Sequence, residues 1–489
     1  MKIPKVTSGS TSAPTLPSKS QSTSKPVATL MQTPQSMMNS KDDATANRNL
    51  RLERISSTLK RRHNKEKRFH FFGMAAVALG LLFVVVLFIS IFARGLPAFW
   101  QSTIHTTVYL DPALINVAPK PIQQTSESPV AFNERLINWE TELGMVDWDA
   151  VLTSSLLKRY PQFNDEPQLL MNLFSSHESY KLRDQIVKNP ALIGKTIEMK
   201  FLADANVDVW LTGKIDRSLP DDVQQLSPDM RQLADQLKQD GVIKSEFSTA
   251  LFTNTDSRSA PASSGLAGAL LGSLYMMLII IVVAIPIGVA SAIYLEEFAP
   301  KNFFTDFIEV NINNLAAVPS IVFGLLGAAI FINWLHLPIS APLVGGLVLS
   351  LLTLPTVIIA TRASLRAVSP SIRQAALGLG ASKMQSVFHH VLPLAVPGIL
   401  TGAIIGIAHA LGETAPLLLI GMKAFVTTLP STPMDQSTAL PVQIYLWQGN
   451  ELRNFFEPRT AAAIIVLLLV MVSLNGLAIW LRKKFEIRG

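Results

Sequence analysis

The segment from Phe71 to Ala93 carries no charged side chain. About 20 apolar residues in a helix cross the hydrocarbon core of a bilayer, so this run is long enough to span it. It begins after seventy residues and is longer than the apolar core of a secretory signal, which makes it a retained helix rather than a cleaved leader. Five more apolar segments follow, at roughly 266–293, 312–334, 341–361, 395–420 and 460–481. The 312–334 segment is the least regular, because Asn311, Asn313 and Asn314 crowd its start. Gly268-x-x-x-Gly272 and Gly402-x-x-x-Gly406 fall in the second and fifth segments, at a spacing that lets membrane helices approach closely. The pattern predicts an all-α membrane protein with six spans.

Composition agrees. Only 16% of the residues are charged, against about 25% in a soluble domain. With no cysteine, disulfides, thiolate catalysis and cysteine-ligated zinc are excluded, and the chain suits an oxidising space. The net charge of +7 is unevenly spread: residues 1–70 hold fourteen Lys/Arg against four Asp/Glu, and residues 95–262 hold fifteen against twenty-two. Such asymmetry in a membrane chain marks opposite sides of the bilayer. No aromatic-interleaved basic patch points to nucleic acid, so none is expected as a partner.

Residues 1–47 are rich in Ser, Thr, Pro and Gln and are expected to be a disordered tail. Residues 48–70 read as a basic cytoplasmic helix that meets anionic membrane lipid, each basic residue contributing about 1 kcal/mol near the surface. The span 71–93 follows. Residues 95–262 form a polar insert, long enough for its own core and predicted as an α+β domain. Strands are expected at Thr106 to Leu110, Thr196 to Leu202 and Val207 to Leu211, with helices at Trp148 to Arg159, Glu178 to Val187 and Asp229 to Gln239. The remainder, 264–489, is the membrane core. Six spans put both termini on one side. The basic N-terminal segment, the basic tail from Arg482 and the loop 362–392, with four Lys/Arg and no acid, all lie inside if the N-terminus is cytoplasmic. The insert is then periplasmic. The loop 294–311 dissents, with four acids and one Lys, though acids weigh little in this rule.

Two stretches carry functional signals. The loop between the fourth and fifth spans reads Gln374-Ala375-Ala376-Leu377-Gly378-Leu379-Gly380, then nine residues, then His390-Val391-Leu392-Pro393. The two alanines give a slim helix and Gly380 permits a sharp break, which suits a short exposed helix that seats in a partner's groove. The spacing resembles the coupling loop of permeases in type I ABC importers (E-A-A, three residues, G, nine residues, I-x-L-P), with Gln374 in place of Glu and His390 in place of Ile. No P-loop occurs in the chain, so it is not expected to hydrolyse ATP or to be an enzyme.

The second stretch is His409-Ala-Leu-Gly412-Glu413-Thr414-Ala415-Pro416, inside an apolar span. An ionisable group at membrane depth costs about 2.5–3.5 kcal/mol on insertion scales, and such groups usually line a cavity or pathway. His409 and Glu413, at i and i+4, share one helix face, and Pro416 removes a backbone donor and is expected to open a kink. A structural Glu bonded to a neighbouring helix is the alternative.

Gly-Glu-Thr-Ala-Pro-Leu-Leu resembles the permeases of phosphate-specific ABC transport, closest to the PstA family. Ile293 to Pro300 and Val318-Pro319-Ser320 to Gly327 also resemble family segments. The family often has Arg where His409 stands. The resemblance implies the type I ABC importer transmembrane fold over 264–489 and a translocation path lined by Ser320, His409, Glu413, Thr414 and Pro416. It implies a coupling loop built on Gln374, Ala375, Ala376, Gly380, Leu392 and Pro393. It further implies a PstC-like second permease, a PstB-like ATPase dimer that holds the ATP and Mg, and a PstS-like periplasmic phosphate-binding protein, with no cofactor or metal in this chain. The setting is the bacterial inner membrane. A permease for sulfate or molybdate is the alternative within transport. A membrane-anchored sensor is the alternative outside it, although only eight residues follow the last span here.

Overall fold

The structure is a computed structural model that describes residues 34–489, apart from 126, 423–425, 427 and 486–489, with side-chain surroundings from residue 62 onward. The chain divides into one compact unit that ends at Val84 and a second that begins at Val85. Helix α1 (Pro34–Gly95) is continuous, so residues 34–47 are helical rather than disordered and no break separates the basic segment from the span. Residues 1–33 of the expected tail, and the side chains of Arg51, Arg54, Lys60 and Arg61, lie outside the described residues. In the first unit, Phe71 to Val84 leave their large apolar side chains exposed, as a lipid-facing helix does.

The second unit opens with the insert. Strand β1 (Trp100–Tyr109) is followed by α2 (Pro129–Met145), α3 (Trp148–Arg159), α4 (Pro167–Met171), α5 (Tyr180–Lys188), β2 (Thr196–Leu202), α6 (Ala205–Leu211), α7 (Pro228–Gln239), β3 (Ile243–Phe247) and α8 (Ala250–Thr253). The three strands form one antiparallel sheet in the order β2-β1-β3. Ser102, Ile104, Thr106 and Val108 alternate toward the interior, the period of two that a half-buried strand requires. Ile104 faces Phe201 on one side and Ile243 on the other. Trp148, Leu152, Leu182, Phe201 and Leu233 complete this core.

Val207 to Leu211, expected as a strand, lies in α6. Asp204 caps that helix by accepting a bond from the Asn206 amide at 2.9 Å, and a run buried on all sides has no alternation to separate helix from strand. The third strand is instead Ile243–Phe247, whose polar Lys244, Ser245 and Glu246 hide its pattern.

The membrane part comprises α9 (Ala267–Ile293), α10 (Phe303–Ala316), α11 (Ser320–Gly327), α12 (Pro342–Ala367), α13 (Pro370–Gly378), α14 (Lys383–Gln385), α15 (Leu392–Gly412), α16 (Ala415–Leu419), α17 (Leu440–Gln448) and α18 (Arg453–Phe485). Among the described residues, five helices are long and apolar enough to cross a membrane, and a bent pair makes a sixth crossing if counted as one. That pair corrects the 312–334 expectation: Phe303–Ala316 and Ser320–Trp334 meet at 103°. Pro319 disfavours helical backbone in the residue before it, so the first piece stops short of it. The 395–420 expectation also resolves into two pieces, because α15 ends at Gly412 and α16 starts at Ala415.

Helices α9, α12 and α15 pack through small residues. A Cβ on Gly346 would lie 2.7 Å from Ile279 Cβ, and one on Gly402 would lie 2.2 Å from Ala360 Cβ. Contacts this close hold membrane helices together by dispersion where water supplies no driving force.

The insert has a second core that it shares with the membrane part. Ala98, Ala205, Val209 and Leu251 pack with Leu440, Trp447, Phe455, Phe456 and Ala462. Arg459, 3% exposed, reaches from α18 into this seam. Its guanidinium donates to the carbonyls of Ser264 and Ala262 and to Gln101 Oε1, and it lies 4.4 Å from the Phe455 ring centre. Gln101 in turn donates to Ala262 O at 2.7 Å and accepts from Ser248 Oγ at 2.9 Å. Asp208, 2% exposed, accepts from the Ser102 amide at 2.7 Å and lies 3.8 Å from Lys214. Burial holds the Lys214 ammonium below the usual lysine range, against the pull of Asp208.

Candidate translocation and coupling sites

The α15–α16 break assembles the first site. Gly412 closes α15, Glu413 takes extended backbone, and Thr414 heads the five-residue α16. Pro416 sits in the first turn of α16, where its missing N–H costs nothing, so it starts a new helix rather than kinking an old one. The turn brings the Glu413 carboxylate back against α15: His409 Nε2 and Glu413 Oε1 are 3.1 Å apart. The His409 side chain is 58% exposed and that of Glu413 21%. An exposed imidazole beside a partly buried carboxylate forms an ion pair when the ring is protonated and a neutral–anion hydrogen bond when it is not.

Helix α11 lies beside α16. A Cβ on Gly324 would meet Pro416 Cα at 2.7 Å, so only glycine allows this approach. Ser320, one turn earlier, is partly buried and starts α11 with no side-chain cap. An uncapped helix start presents free amides and the positive end of the helix dipole. No hydrogen bond links Ser320 to His409 or Glu413 among the described residues. The sequence signalled this helix start only through Pro319-Ser320.

The loop between α12 and α15 forms the second candidate site. Gln374 and Ala375 on α13 are exposed, while Ala376 is buried. Gly380 has φ of +89° and open space around it, the left-handed backbone that glycine tolerates best. The Ser382–Gln385 capping box then starts α14, and a π-helical turn (Ser386–Val391) leads into α15. Leu392 packs on the cluster of Ile293, Leu365, Val387 and Val391, and Pro393 stands partly buried in the first turn of α15. Leu377, Leu379, Met384 and Phe388 are exposed; Leu379 is 91% so. Four large apolar side chains exposed along one short segment make it a candidate docking surface.

Composition alone did not reveal how the loop is held. Arg362 bonds Glu296 (3.2 Å) and Glu309 (2.8 Å), Arg366 bonds Glu296 (2.9 Å), and Arg373 bonds Glu297 (2.6 Å). Three of the four acids that dissent from the charge rule in 294–311 are thus partners of the basic loop 362–392. That charge complementarity was the signal available in the sequence.

Residues 284–487 match the family described as binding-protein-dependent transport system inner membrane component, and residues 56–221 match a domain of unknown function, DUF3333. The probable ABC transporter permease protein YqgI of Bacillus subtilis (strain 168) is 35% identical over 170 residues, covering 34% of this chain and 56% of that protein. The phosphate transport system permease protein PstA of Yersinia pestis is 33% identical over 248 residues, covering 49% of this chain and 80% of that protein. The PstA of Mycobacterium leprae (strain TN) is 34% identical over 220 residues, covering 44% of this chain and 70% of that protein. The chain belongs to the PstA-type family of ABC transport permeases. As a PstA-type permease it is a multi-pass membrane protein, and its DUF3333 match overlaps the added N-terminal region.

Proposed function

We propose that this PstA-type permease is the transmembrane subunit of an ATP-driven phosphate importer in the bacterial inner membrane. The observation that carries this reading is the His409–Glu413 pair at a broken helix, within the Gly-Glu-Thr-Ala-Pro segment. Relatives named as phosphate transport permeases support it. Phosphate near neutral pH keeps one or two protons and can donate a charge-assisted hydrogen bond to Glu413, whereas sulfate has none to give. His409, Thr414, Ser320 and the uncapped start of α11 supply donors toward the anion, and Pro416 fixes the start of α16 beside them.

In this reading both termini are cytoplasmic and residues 95–262 are periplasmic. The loop 374–393 docks on a PstB-like ATPase dimer through Gln374, Ala375, Gly380 and the exposed leucines, and Ala376, Leu392 and Pro393 anchor it to the spans. ATP and Mg belong to that partner. A PstC-like permease completes the path, and a PstS-like binding protein delivers phosphate from outside.

The function is tested by radiolabelled phosphate uptake in cells lacking other phosphate transporters. Uptake should depend on this chain and resist excess sulfate or molybdate. Competition by either oxyanion would assign the path to that anion instead. Orientation is tested in the cysteine-free chain. A cysteine at Asp165 should react with an impermeant thiol reagent in spheroplasts, and one at Ser382 should not; the reverse pattern inverts the topology.

A further inference from the structure

Arg373 stands on the helix that carries the docking surface, yet it points away from that surface. Its guanidinium donates to the carbonyls of Val368 (2.8 Å) and Leu365 (2.8 Å) at the end of α12 and to Glu297 Oε1 (2.6 Å and 3.1 Å). Glu297 is 8% exposed at its side chain and sits in the π-helical turn, Tyr294–Phe298, that ends α9. The planar fork of arginine makes all of these bonds at once, which no lysine could do. Helix α13 is also joined to α12 by the short linker Val368-Ser369 and by Ile372, which packs on the cluster of Ile293, Leu365 and Val387. The one guanidinium therefore ties three elements together: α13, the end of α12 and the end of α9. A second layer, in which Glu296 and Glu309 hold Arg362 and Arg366, joins α10 to the same end of α12.

We propose that Arg373 and Glu297 are positioning residues that make α9 and α12 move as one body with α13, so that displacement of the coupling helix by the ATPase reaches the spans. This rests on the docking reading of the loop. The exposed face that meets the ATPase does not include the clasp, so breaking the clasp separates ATP hydrolysis from transport instead of abolishing both. A residue that served only folding would lower both together.

The test is transport per ATP hydrolysed in proteoliposomes of the assembled complex. Arg373→Gln and Glu297→Gln should keep ATPase co-purification and ATP turnover while phosphate transport falls several-fold. Arg373→Lys should fall between these and wild type. Glu297→Cys with Arg373→Cys, in a chain with no other cysteine, should be uncoupled until a short bismaleimide joins the pair and restores the ratio. A wild-type ratio in the glutamine variants, or a cross-link that restores nothing, overturns the clasp. Loss of assembly in every variant overturns it as well, by making the pair a folding element. Leu379→Glu tests the underlying docking reading separately. It should release the ATPase, and a complex that keeps both the ATPase and full uptake refutes docking and the clasp with it.

Discussion

Glu413→Gln is expected to cut phosphate uptake roughly ten- to hundred-fold, the equivalent of the 1.5–3 kcal/mol carried by a hydrogen bond to a charged group. Glutamine keeps the shape of the side chain and can still bond His409, so the α15–α16 turn should form and the complex should assemble. It loses the charge that holds a protonated imidazole and that accepts a proton-bearing oxyanion. Uptake of labelled phosphate measures the effect, with ATPase co-purification as the check on assembly. Wild-type uptake would remove Glu413 from the path. Loss of assembly would give it a structural part, and the 21% exposure of its side chain argues against that.

The second large effect is expected at Arg459. Arg459→Met should lower stability by about 3–5 kcal/mol, the cost of removing one member of a buried polar network. The Ser264 carbonyl would lose its donor, and the Ala262 carbonyl and the Gln101 amide oxygen would each lose one of two, in a buried seam. Methionine fills much of the volume, so the loss would come from the missing hydrogen bonds, the unpaired Ser264 carbonyl above all, more than from a void. Lysine would not rescue, because one ammonium cannot serve three acceptors at fork geometry. Thermal unfolding in detergent and limited proteolysis of residues 95–262 measure the effect. An unchanged midpoint and an unchanged cleavage pattern would refute the network's weight.

The spans were legible because apolar length is a coarse signal that lipid imposes on sequence. Where the chain breaks inside the bilayer, that signal blurs: an apolar window cannot register the bend between Ala316 and Ser320, although Pro319 marked it. The His409–Glu413 pair was legible from i, i+4 spacing, but Glu413 meets His409 from an extended turn rather than from a continuing helix. Val207 to Leu211 misled because β-branched residues read as strand, and a local capping bond from Asp204 decided otherwise. The ion pairs from 296–309 to 362–373 join positions 53 to 76 residues apart. Window-based reading counted their charges and could not pair them.

Gln101 and Arg459 are 358 residues apart in sequence. At a synthesis rate of about 5–20 residues per second, roughly twenty to seventy seconds separate the two during translation. For that interval Gln101 lacks the guanidinium that completes its network; once the 260s segment is made Gln101 can bond Ala262 O, while the Ser264 carbonyl is left to water until Arg459 arrives. A nascent chain stalled before α18 therefore displays an unfinished, hydrated seam, and insertion of α18 closes it. Insertion of α18 thus seals a seam begun at β1, which ties maturation of the insert to a membrane helix made long after it.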